Sequence, residues 1–237
     1  MKQVTPPAPG AAPIGPTETE SPAISVEIAD RWFEMKRLAD DVTWLWEPHV
    51  IPLMRCNIWH IRGRDRDLLV DTGMGVASLA DATRHLIDKP VKAVATHTHG
   101  DHIGGHHEFA ECCVHALEAA DFERTHEPEA LTVEAYFGDA GMRRMREAGY
   151  ADCVPGPLIT ALPHAGFDPG RFVVKPAKVT QRLEEGQVLD TGDRRCLQAL
   201  WRNGHVYAVF HTNPPVAPNS GQCTAYWVKE AITTGAG

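Results

Sequence analysis

Hydrophobic and polar positions repeat along this chain with two different periods, and the switches between them mark its elements. Val42-Thr43-Trp44-Leu45-Trp46 and Cys56-Asn57-Ile58-Trp59-His60-Ile61 are rich in β-branched and aromatic residues and end at turn formers, which predicts two strands. After the polar turn Gly63-Arg64-Asp65-Arg66-Asp67, the run Leu68-Leu69-Val70-Asp71-Thr72-Gly73 predicts a third, paired antiparallel with the second. The period then lengthens. Val76, Leu79, Ala80, Thr83, Leu86 and Ile87 share one face of an amphipathic helix over 76–87, and Pro90 stops it. Val91-Lys92-Ala93-Val94-Ala95 follows as a buried strand, so a helix links two strands that are candidates for parallel pairing. Cys112-Cys113-Val114-His115 predicts a short strand and 117–126 a helix, whereas 129–149 mixes helix formers with Gly138, Gly141 and Gly149. Strand-and-turn patterning resumes over 173–183 and 188–193.

The chemistry concentrates where the 91–95 strand ends. His97-Thr98-His99-Gly100-Asp101-His102, closed by Gly104 and Gly105, puts three imidazoles and a carboxylate within six residues. If the chain stays extended through 99, His97 and His99 point to one side and can grip one cation, while Asp101 and His102 face a second from the turn. Imidazole and carboxylate are ordinary zinc ligands, and an open coordination position makes water acidic enough to act as hydroxide near neutral pH. Eight of the thirteen histidines lie between 85 and 126, a clustering that composition alone does not produce.

Composition narrows the remaining possibilities. A chain of 237 residues with 43% hydrophobic content can build one sizeable core. A formal charge of -8 gives no general attraction to nucleic acid or anionic lipid, so a small molecule is the expected partner. The six cysteines show neither C-x-x-C spacing nor a regular framework, which argues for reduced thiols, no cysteine-rich zinc site and a cytoplasmic setting. The proline-rich residues 1–24 lack a signal-peptide pattern and are expected to form a disordered tail ahead of one domain over 25–237. No stretch is long and apolar enough to cross a bilayer. Oligomeric state is not encoded in these patterns.

The block H-x-H-x-D-H followed by two glycines resembles the signature of the metallo-β-lactamase superfamily. The runs Trp32–Leu38, Cys56–Trp59, Asp71–Gly75 and Leu183–Val188 resemble its acyl-coenzyme A thioesterase branch. The resemblance implies an α/β fold, a four-layer αββα sandwich. It implies up to two zinc ions as cofactor, with His97, His99 and His205 on one, Asp101 and His102 on another, Asp101 also catalytic, and Asp71 supporting the ligands from beneath. It also implies hydrolysis of an ester-like carbonyl, in this branch an acyl thioester. Cleavage of a β-lactam, lactone or phosphodiester on the same scaffold, or a metal-binding remnant with little activity, are the competing expectations. The likeness weakens after about 195. There Asn203-Gly204-His205 stands where the family shows Pro-Gly-His, His211 is a weaker candidate ligand, and the pattern of the second half is incomplete. Such a chain is expected to hold at most one zinc tightly.

Overall fold

The computed structural model describes residues 27–38, 41–149, 154–192, 195–202, 205–211 and 225–227, the last three as backbone. The expected tail over 1–24 lies outside the described residues.

Seven strands form the first sheet, in sequence order: β1 Glu34–Arg37, β2 Val42–Trp46, β3 Ile58–Ile61, β4 Asp67–Val70, β5 Val91–Val94, β6 Glu111–His115 and β7 Gln181–Leu183. The first four pair antiparallel, and β4, β5, β6 and β7 run parallel. A second sheet carries β8 Val188–Asp190, β9 Arg195–Arg202, β10 His205–His211 and β11 Ala225–Trp227 in the order β11-β10-β9-β8.

The period of two explains how the first sheet is covered on both faces. Ile61, Leu68, Val70, Val94 and Cys113 point to one face, where Leu183 and Leu189 of β8 join them, so this face meets the second sheet. Their neighbours point the other way. Ile58 and Leu69 pack with Leu79 of the helix α1 Leu79–Thr83, while Ala93, Ala95, Cys112 and Val114 pack with Ala119 and Phe122 of α3 Ala119–Phe122. Between them, α2 Gly100–Ile103 contributes Ile103. The result is an α/β sandwich of the expected type, with a mixed sheet, flanking helices and a smaller second sheet.

Two helix expectations are corrected, and a segment left open gains a helix. The 76–87 helix is confined to α1 because the Ser78 hydroxyl accepts from Asp81 N and starts it there, two residues past Val76. Single turns through Leu86 and Ile87 follow, both donating to Thr83 O. The 117–126 helix shrinks to α3 after one tight turn over Ala116–Glu118. The segment left open at 129–149 contains α4, Val133–Glu147, interrupted at Gly138, whose φ of 61 is accessible to glycine without steric cost. Arg143, Arg144 and Arg146 lie exposed along its second part. Among the described residues no helix is long and apolar enough to span a membrane.

Candidate metal centre

Parallel pairing brings the carboxyl ends of β4, β5 and β6 to one edge, where ligands of such sheets gather. Asp71 leaves β4 there with φ of 58, a left-handed conformation that aspartate tolerates better than most side chains, held by Asp71 N donating to Val94 O. Both of its oxygens are engaged. Oδ1 accepts from Thr96 N at 2.7 Å, and Oδ2 from Thr96 Oγ1 at 2.6 Å and from His102 Nδ1 at 2.8 Å. Asp71 thus lies beneath the histidine motif and orients His102.

The motif itself departs from the expected extended run. β5 ends at Val94, 96–97 form a bend, and His99 is extended just before α2 begins. The two rings nevertheless meet. His97 Nε2 lies 3.1 Å from His99 Nδ1 with the rings edge to face, His97 buried and His99 exposed. Asp101 and His102 stand on the short helix rather than in an open turn, both buried, with Asp101 Oδ2 3.5 Å from His102 Nε2. The His102 ring centroid is 3.9 Å from that of His97, so the expected sites for two ions are adjoining parts of one constellation.

A second donor set opens on the other side of His102. The sulfur of Cys56, an Asp71 oxygen and a His102 nitrogen all lie within 4.8 Å of one another, the one such group of three among the described residues. Cys56 is the one cysteine in this group, a donor that the absence of C-x-x-C spacing did not point to. Its Sγ sits 3.5 Å from His102 Nδ1, and Cys112 and Cys113 are the other buried free thiols described. Burial pulls the His102 ring toward neutrality, yet Cys56 and Asp71 outweigh it and hold its pKa well above the ordinary value. Burial likewise pushes Asp71 up, but His102, His97 and Thr96 together bring it below the usual carboxylate range.

Chemistry tests whether a zinc suits these residues. Two nitrogens bound tetrahedrally at about 2.05 Å stand about 3.3 Å apart, close to the 3.1 Å between His97 Nε2 and His99 Nδ1. With a buried carboxylate two residues on, the donor set is the nitrogen-and-oxygen kind that zinc takes, and the residues fit. His205 opens β10 opposite Arg202 in the β9–β10 hairpin, while its side chain, like that of His211, lies outside the described structure.

Loop packing fixes the motif against the strand ends. Thr72 N donates to His102 O at 2.8 Å and Gly104 N to Gly73 O at 2.9 Å, so the 71–75 and 102–106 segments lie backbone against backbone. A Cβ at Gly104 would stand 2.0 Å from Met74 O, which is why glycine follows the histidines here. Two further residues escaped sequence reasoning. Glu47 is fully buried, its Oε1 accepting from Trp32 Nε1 and its Oε2 from Met74 N, and Tyr136 of α4 donates its hydroxyl hydrogen to Asp101 Oδ1 at 2.9 Å. Both lie more than 25 residues from the groups they touch at the site, beyond any local spacing rule.

Residues 51–193 match the Metallo-beta-lactamase superfamily. The chain is 35% identical over 183 residues to "Acyl-coenzyme A thioesterase MBLAC2" of Gallus gallus, covering 73% of this chain and 58% of that protein. It is 30% identical over 186 residues to the protein of the same name from Homo sapiens, covering 73% and 59%. It therefore spans under two thirds of the length of these relatives. Among solved structures, a class B3 di-zinc metallo-beta-lactamase from an Alaskan soil metagenome aligns over 83% of this chain and 61% of its own, with 14% identity and a TM-score of 0.49.

Proposed function

This chain belongs to the metallo-beta-lactamase superfamily, and from that premise we propose that it is a zinc-dependent hydrolase of acyl thioesters. The observation that carries the metal reading is the 3.1 Å approach of His97 Nε2 to His99 Nδ1 beside buried Asp101. The thioester reading draws on the relatives named as acyl-coenzyme A thioesterases.

In this reading His97 and His99 would hold the first ion, with His205 as the third protein donor. Asp101, through Oδ2, and His102, through Nε2, would hold a second more weakly. Asp71 takes His102 Nδ1, fixing the ring so that Nε2 faces Asp101. Bound zinc supplies a Lewis acid that acidifies water and draws charge from a carbonyl oxygen. Exposed His99 marks the open side from which substrate arrives, and Asp101 is placed to accept a proton from water and orient it. A thioester asks little else of the protein, because its leaving thiol has a pKa near about 8.5 and departs as thiolate without a dedicated acid.

The test is hydrolysis of palmitoyl-coenzyme A and of a chromogenic cephalosporin by the purified chain, with and without chelator. Thioester cleavage that chelation abolishes and added zinc restores is expected. β-Lactam turnover without thioesterase activity would refute the substrate assignment.

A further inference from the structure

We propose that Tyr136 is a positioning residue that locks the Asp101 carboxylate so that one oxygen, Oδ2, is presented to the metal. This rests on the metal reading above and extends it to a residue outside the motif.

The helix carrying Tyr136 is anchored at its start. Thr132 Oγ1 accepts from Ala135 N, Val133 N donates to Gly156 O, and Leu158 N donates to Leu131 O, which fixes the first turn of α4 against the 156–158 segment. That turn lays Tyr136 across Gly100. A Cβ at Gly100 would lie 3.6 Å from Tyr136 Cε2 and 3.2 Å from Val174 Cγ2, so the ring lies beside the motif at Gly100. From there the phenol donates to Asp101 Oδ1 at 2.9 Å, while Oδ2 lies 3.5 Å from His102 Nε2.

The two oxygens of Asp101 are thus given different tasks. A carboxylate turns readily about its Cβ–Cγ bond and can bind a cation through one oxygen or both. A phenol has a single hydrogen to donate, and directing it at Oδ1 stops that rotation. Removing the donor leaves the carboxylate present and buried but unfixed. Loss of a partner that orients a ligand typically weakens metal binding by about 10- to 100-fold.

Tyr136→Phe keeps the ring over Gly100 and deletes only the donor. The full chain is titrated with Co2+, following visible absorption and competition with a chelator. The expected result is a 10- to 100-fold weaker uptake at the site containing Asp101 and an altered absorption spectrum, in a chain that still unfolds cooperatively. Phe137→Leu, which trims packing in the same turn and spares the hydrogen bond, is expected to titrate like the unmodified chain. Equal losses in the two variants, or a Tyr136→Phe titration superimposable on that of the unmodified chain, overturns the proposal and leaves the metal reading standing. An unmodified chain that takes up no Co2+ sinks both.

Discussion

At the scale of single residues, position relative to the two nitrogens at 3.1 Å decides what a histidine does. His97→Ala and His99→Ala each remove half of that pair and are expected to weaken zinc binding by at least about 100-fold, more than loss of an orienting partner causes. His107, whose Nδ1 lies 3.0 Å from Gly104 O just outside the motif, is the comparison. His107→Ala is expected to retain metal, as measured by zinc content after dialysis against a weak chelator, and equal loss in all three would count against the assignment. The four motif side chains were legible in the sequence because they sit within six residues. Cys56, Glu47 and Tyr136 were not, since what brings them to the site is pairing across β3, the D-T-G turn and α4, and no linear spacing encodes it.

Among elements, Glu47 ties three segments that are remote in sequence. Its carboxylate leaves the end of β2, accepts from Trp32 ahead of β1 and from Met74 after β4, and crowds Gly73, whose Cβ would stand 2.5 Å from Oε2. Burial raises its pKa from 4.5 to about 7, the hydrogen bonds from Trp32 and Met74 pulling down less than burial pushes up. The folded chain therefore binds this proton more tightly than the unfolded chain does. Its contribution to stability is present near pH 4.5 and is lost as pH rises through about 7, on the order of 3 kcal/mol. Urea midpoints of metal-free protein at pH 5 and pH 8 should show that fall. Glu47→Gln should remove it, at a fixed cost from an amide facing Met74 N–H, and a parallel fall in both proteins would assign the slope elsewhere. The central strands β2 to β6 were well announced, because both faces of the first sheet are covered and the apolar runs are continuous, whereas β1 and β9 to β11 were not announced. Helix lengths were not, since caps such as Ser78 and breaks such as Gly138 end them earlier than hydrophobic spacing suggests.

For the molecule as a whole, the parallel pairing of β6 with β7 sets a timetable. Cys112 exchanges hydrogen bonds with Thr180, 68 residues further on, and Cys113 pairs with Gln181. Until Thr180 and Gln181 have been synthesised, the apolar edge Cys112-Cys113-Val114 has no strand beside it. At roughly 5–20 residues per second, that edge waits on the order of 3 to 14 seconds on a growing chain. An uncovered apolar edge recruits other strands, and closing so long a loop is slow compared with pairing neighbours. A chain stopped after Pro176 should accordingly sediment with aggregates to a greater extent than one continued to Gly192. Equal solubility of the two would show that the edge is shielded by other means. The bond that closes the sheet beside the histidines is thus the last strand pairing of that sheet for which nascent chains, and any chaperone attending them, must wait.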